Sequence, residues 1–185
     1  FVASLMSSSC LPLMKRVASS VEYLRTMEAT YHVPVTIMFP FNTIGRALVP
    51  PSGNRHFVVE RAITQALQQR HIQLHDPRPR RDFLFRTDHV GGYLAVLDHP
   101  DVAKGESFNL CTGDSWTIEQ MAQYVARRVG AMVGAVSVEF AATPDRPLDI
   151  PVLHGSNEKA QRLLGWAPQY SISLAIEQAI REWAT

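Results

Sequence analysis

Residues 78–90, Arg-Pro-Arg-Arg-Asp-Phe-Leu-Phe-Arg-Thr-Asp-His-Val, admit few folds, because they pass from a dense basic run straight into a short apolar strand. Four of the 18 Lys and Arg residues of the chain fall within the nine positions 78–86. Guanidinium groups at the mouth of a strand suit a phosphate, whose oxygens they can bind in pairs. Arg81 adjoins Phe83-Leu84-Phe85, so a folded core can fix its fork, and it is a candidate phosphate ligand. Arg78 and Arg80 flank Pro79 and are expected in a solvated loop. After the strand, Thr87 or Asp88 is expected to cap a helix whose apolar positions Val90, Tyr93, Leu94 and Leu97 recur at three and four. The unit is loop, strand, capped helix.

That basic cluster is local. The chain of 185 residues is 46% hydrophobic and 19% charged, the make-up of one ordinary globular domain. Its formal net charge of +1 argues against general affinity for nucleic acid or an anionic membrane, so the expected partner is a small anion. Two cysteines, Cys10 and Cys111, make no disulfide framework and have no metal-ligand spacing around them, which fits a reducing cytoplasm. No apolar run approaches the length that crosses a bilayer. The opening Phe-Val-Ala-Ser-Leu-Met lacks the basic start of a secretory signal and resembles a strand already under way. The expectation is a chain that begins inside a larger fold.

The rest of the chain alternates. A helix is predicted from Met14 to about Tyr31 on the period of Val17, Val21, Leu24 and Met27, followed by a buried strand over 33–39. Helix, short connection and apolar strand is the rhythm of an α/β sheet, and this strand is expected in a parallel one. The segment Phe39-Pro40-Phe41-Asn42-Thr43-Ile44-Gly45 leaves it. Ligands in such sheets sit beyond the carboxyl ends of strands, so Asn42 is a site candidate. A helix through Val58–Leu67 and a short strand 72–74 follow, with His71 and His75 expected at the surface rather than on a metal. Beyond the basic unit come a strand at 107–111 and a helix opened by the capping box Thr117 and Gln120. Next come a strand at 136–140 and a loop with Arg146 between Pro144 and Pro147, either a second phosphate candidate or a solvated arginine. Ser156 or Asn157 is expected to cap a helix stopped by Gly165 and Pro168, and a last helix from Ser173 turns Ile176, Ile180 and Trp183 inward. Nowhere do glycines form Gly-x-Gly-x-x-Gly or Gly-x-x-x-x-Gly-Lys, so the chain carries no nucleotide-phosphate loop of its own.

Five motifs, in order, are similar to the carboxyl-terminal half of the extended short-chain dehydrogenases that epimerise or dehydrate nucleotide sugars with bound NAD. They are Val35 to Gly45, Asp76 to Tyr93 with its Arg-Asp-Phe core, Phe108-Asn109 with Gly113, Arg146-Pro147 with Asp149, and Lys159-Ala160 leading to Leu164-Gly165-Trp166-Ala167-Pro168. The resemblance covers nearly everything after residue 13. It implies an α/β fold: the last strands of an extended Rossmann-type sheet plus the smaller substrate-binding lobe, with residues 1–185 as one partial domain whose glycine-loop half is missing.

The same resemblance implies an NAD-dependent epimerase or dehydratase, with NADP as the alternative cofactor, that acts on a nucleotide-diphosphate sugar by transient oxidation. Lys15 matches the lysine of the family's Tyr-x-x-x-Lys pair, which lowers the tyrosine's pKa and holds the nicotinamide ribose. The tyrosine's place is Leu11, which cannot exchange a proton. Asn42 resembles the residue that touches the sugar nucleotide, and Arg81 and Arg146 match arginines that hold its pyrophosphate, so the two are expected to approach one another across a cleft. Phe39 stands where the family often has Arg. Relatives often form homodimers through the lysine helix, so a homodimer is an implied partner. The competing reading is a truncated or degenerate relative that binds a nucleotide sugar, or only folds, without turnover; Leu11 and the absent glycine loop support it.

Overall fold

The structure, a computed structural model, describes residues 2–4, 11–46, 57–141 and 150–184, and of 2–4 and 11–17 the backbone only. The elements are β1 (Val2–Ser4), α1 (Leu11–Tyr31), β2 (Thr36–Pro40), β3 (Asn42–Ile44), α2 (Val58–Gln69), β4 (His71–Leu74), β5 (Arg80–Arg81), β6 (Phe83–Phe85) and α3 (Arg86–Asp98). They continue as α4 (Pro100–Ala103), β7 (Ser107–Leu110), β8 (Trp116–Thr117), α5 (Ile118–Val133), β9 (Ser137–Phe140), β10 (Val152–Leu153), α6 (Glu158–Leu164) and α7 (Ile172–Ala184).

Strands β1, β2 and β7 form a parallel sheet with β2 in the middle. Ile37 and Met38 are wholly buried on opposite faces of β2, as a strand covered on both sides requires. The expected strand is therefore present, but it starts after Pro34 and runs one residue further, to Pro40. Three smaller ladders flank it: β3 with β6 and β4 with β9, both parallel, and β5 held between β10 and β8. The segment after β2 is not loop, since β3 begins at Asn42.

Two apolar cores meet at β6. Phe83 and Phe85 point into the larger one, where Val59 and Ile63 of α2, Met121 and Val125 of α5, and Ile176 and Ile180 of α7 interlock. Leu84 points the other way, to Met38, Phe108, Leu110 and Trp166. Successive strand residues face opposite sides, so three consecutive large side chains make one strand a wall shared by both cores. The arginines just before this wall are thereby set on a fixed frame.

Helix termini follow local chemistry in two places. Thr117 accepts the Gln120 amide while Gln120 returns a bond to the Thr117 amide, the expected reciprocal box. Gly165 ends α6 at φ 63°, a left-handed turn that suits a residue without a side chain. At α6 the cap is Asn157, whose side chain makes no capping bond and donates instead to the carbonyls of Cys111 and Thr112; the Ser156 hydroxyl accepts the Glu158 amide. Helix α7 begins at Ile172, one residue before the expected Ser173, with Ile176 and Ile180 buried and Trp183 half-buried.

Helix α3 corrects two expectations. It begins at Arg86 with no side-chain cap, because Asp88 is drawn elsewhere: its carboxylate accepts the amides of Gln169 and Tyr170. Its apolar stripe faces outward, with Val90, Leu94 and Leu97 all more than half exposed, while Asp88, Gly92 and Val96 face in. The reason is close approach: a Cβ on Gly92 would lie 2.5 Å from Leu110, so the glycine side is the one that fits against β7.

Candidate functional site

In β2 and β7, Pro40 pairs with Leu110, so both strands end at one level. From that edge the chain continues on one side through Phe41 into β3 and on the other through Cys111 into the turn 112–115. Everything the sequence marked as a site, apart from Lys15 and Arg146, gathers there.

Asn42 opens β3 opposite Phe83, and its amide donates to the Asp82 carbonyl at 2.9 Å. Arg81 lies in β5, half-buried, paired with Leu153 of β10 and with Trp116 of β8. Its guanidinium donates to the carbonyls of Arg80 and Ile150 at 2.8 and 2.7 Å. Ile150 is the first described residue after 142–149, and Arg146 itself lies outside the described residues. The expected approach of the two arginines therefore also lies outside them.

Arg80 is a correction. It is not a solvated loop residue: it pairs with Thr117 in a strand, and its guanidinium bonds the hydroxyl and carbonyl of Ser115. Two-residue strands carry no hydrophobic period, so nothing in the local pattern announced them. Arg78 is exposed, as expected, and rests on Asp76 at 2.9 Å.

The residue that ties these pieces together is Asp82, which the sequence reading left unassigned. It is 0% exposed. One carboxylate oxygen accepts the Thr112 amide at 2.9 Å and its hydroxyl at 2.7 Å, and the other accepts the Gly113 amide at 3.0 Å. Burial pushes its pKa up, while the Thr112 and Gly113 donors and the His154 charge oppose that rise. The signal was present in Arg-Asp-Phe: an acid between an arginine and a core strand is buried only if it is bonded. Cys111, just before the turn, is a buried free thiol whose pKa is pushed up to about 12 by burial and by the Asp82 charge, so it is inert.

A second network lies on the other face of β3. The Thr43 hydroxyl is 2.9 Å from His89 Nδ1, and His89 Nε2 is 3.1 Å from the Tyr93 hydroxyl. The Thr43 hydroxyl also donates to the Phe41 carbonyl at 3.2 Å. With that proton placed, His89 Nδ1–H donates to Thr43 and Nε2 accepts from Tyr93, which satisfies all four groups with a neutral ring. Burial lowers the His89 pKa, in keeping with that state. A cleft of about 70 Å³ opens beside Asn42, lined by Pro40, Phe41, Ile44, Phe57 and Phe83 among others.

Lys15 lies in α1 one turn after Leu11, as expected for a Tyr-x-x-x-Lys pair in register. Only its backbone is described. His71 is at the surface, on Ser137 at 2.8 Å and Glu139 at 3.4 Å. Among the described residues no group of His, Cys, Asp and Glu could hold a metal, and no helix is long and apolar enough to cross a membrane.

Comparison with known proteins bears on this arrangement. Residues 18–179 match the family model described as GDP-mannose 4,6 dehydratase. A UDP-glucose 4-epimerase of Bifidobacterium longum is 28% identical over 92 residues, 50% of this chain and 26% of that protein. Among solved structures, the epimerase Mth375 of Methanothermobacter thermautotrophicus superimposes with a TM-score of 0.76 at 27% identity, over 88% of this chain and 47% of that one. The UDP-glucuronic acid 4-epimerase of Bacillus cereus, solved with UDP-glucuronic acid and NAD, superimposes with a TM-score of 0.78 at 19% identity, over 98% of this chain and 60% of that one. The last likeness is one of fold. The chain spans about a quarter of the length of the Bifidobacterium relative and about half of the Mth375 chain.

Proposed function

From the premise that this chain belongs to the NAD-dependent epimerase/dehydratase family, we propose that it serves an epimerase or dehydratase acting on a nucleotide-diphosphate sugar. One observation carries the reading most: Asn42 and Arg81 are set at the carboxyl edge of the strands by bonds to one short segment, Arg80-Arg81-Asp82. That is where an open α/β sheet receives its ligand. In this reading Arg81, with Arg146, binds the diphosphate, and Asn42 orients the sugar-bearing end. A charge-assisted bond of this kind contributes about 1.5 to 3 kcal/mol, so a single arginine matters to affinity.

NAD, with NADP as the alternative, would supply the hydride acceptor when bound. The residues here fit that group only in part: Lys15, which matches the family's lysine, would hold the nicotinamide ribose, and the 185 residues contain no glycine turn for the pyrophosphate. We place the protein in the cytoplasm, in keeping with the buried free thiol of Cys111.

A second reading, binding without turnover, rests on Leu11. The residue one turn before Lys15 has no proton to exchange, so sugar oxidation would lack the base that usually takes the hydroxyl proton.

Calorimetric titration with UDP-glucose and GDP-mannose tests the binding that both readings share. At least one should bind, and Arg81→Ala should weaken it about tenfold or more. Equal affinity in the variant, or no binding of either sugar, would remove the proposal.

A further inference from the structure

Asp82 contributes more than a filled core position. Its backbone amide donates to the Leu153 carbonyl at 3.0 Å, its carbonyl accepts from the Asn42 side chain, and its carboxylate accepts three hydrogen bonds from Thr112 and Gly113. One residue therefore joins β10, β3 and the turn that follows β7. The turn is shaped for it: Gly113 sits at φ 80°, a conformation that L side chains rarely adopt, which lets two successive amides converge on one carboxylate. Arg80 grips the far end of the same turn at Ser115. Arg81 stands between these two anchors in the chain, with no room to slide along the strand.

We propose that Asp82 is a positioning residue for ligand binding: by clamping residues 112 and 113 it fixes the β5 to β6 crossing, so that Arg81 and Asn42 meet a nucleoside diphosphate already aligned. The inference rests on the binding role given above to those two residues. Alignment before binding lowers the ordering cost of the complex, so loss of the clamp weakens affinity although Asp82 itself touches no ligand. Replacing it by Asn turns one acceptor into a donor facing an amide that also donates, which breaks at least one of the three bonds.

The test is titration of the 185-residue chain with UDP and with GDP, in the wild type, Asp82→Asn, Thr112→Val, Thr112→Ser and Val125→Ala. Thr112→Val removes the hydroxyl, and with it the bond to Asp82 and the contacts to the Asp114 amide and carbonyl, while Thr112→Ser keeps them all. Val125→Ala lowers stability from within the larger core, on α5 and outside the clamp's own bonds. The expected result is affinity reduced about tenfold by Asp82→Asn and about threefold or more by Thr112→Val, with Thr112→Ser and Val125→Ala like the wild type. Unchanged affinity in Thr112→Val, or an equal loss in Val125→Ala, overturns the proposal; should Asp82→Asn fail to fold, Thr112→Val decides. If the wild type binds neither UDP nor GDP, the function proposed above falls, and the clamp is judged by NMR of the Arg81 Nε–H and the Asn42 side-chain amide. Faster solvent exchange of both in Thr112→Val, with Thr112→Ser unchanged, upholds it, and identical exchange in all variants overturns it.

Discussion

Glu60 sits in an environment that a carboxylate avoids. It is 5% exposed; one carboxylate oxygen accepts the Gly45 amide at 3.1 Å and the other has no partner among the described residues. Burial, partly offset by its own and the Gly45 amide, lifts its pKa from 4.5 to about 7. The proton is therefore held more tightly in the folded chain. Stability from this site is complete below about pH 4.5, declines as pH rises toward 7, and is lost above it. The span corresponds to about 3 kcal/mol. Urea unfolding of Glu60→Gln should show a smaller fall in stability between pH 5 and pH 8 than the wild type, by about that amount; parallel pH profiles would show that Glu60 ionises freely. No sequence pattern could have found this, since the missing partner is a fact of packing. Asp88 and Arg80 went unread for a related reason: an acid at a helix start and an arginine beside a proline look local, and their partners, Gln169, Tyr170 and Ser115, are distant in the chain.

At the scale of elements, periodicity placed the longer helices, though α1 begins at Leu11 rather than Met14 and the short α4 was not expected, and capping chemistry placed one end of α5 and one of α6, because those signals lie within a few residues of each other. What periodicity left open was which face of α3 turns inward. Its apolar stripe reads as a core face, yet the side bearing Gly92 packs, because a bare Cα permits contact with Leu110 that no larger residue could make. Gly92→Ala should cost about 1 to 3 kcal/mol by overpacking, measured as a lower denaturant midpoint; a neutral or stabilising effect would show that Leu110 yields easily. Helix α1 bears on catalysis. Leu11 and Lys15 are one turn apart on it, so Leu11→Tyr would restore the Tyr-x-x-x-Lys spacing. Joined to a relative's NAD-binding half, the chain as it stands should turn over a nucleotide sugar negligibly, and Leu11→Tyr should raise the rate about a hundredfold or more. Equal rates for the two would mean that another group moves the proton, and Tyr93, bonded to His89, would be the first to examine.

The described residues build two cores pressed against one strand, with the candidate site at the edge where that strand begins. Of this, the α/β class, the parallel sheet around β2 and the importance of residues 78–90 were legible from the sequence, since each follows from a local run of residue types. The clamp around Asp82 was not, because it joins three segments that only the fold brings together. Fold and site are in this sense one object: Phe83, Leu84 and Phe85 fix the frame, and the three residues before them hold Asn42, residues 112–115 and the carbonyl of Ile150. The most direct measurement is a crystal structure of the chain with whichever of UDP-glucose and GDP-mannose binds it more tightly. The diphosphate is expected within hydrogen-bond distance of the Arg81 guanidinium, the sugar beside Asn42, and the bonds from Thr112 and Gly113 to Asp82 intact. A diphosphate bound away from Arg81, with Asn42 untouched, would contradict it.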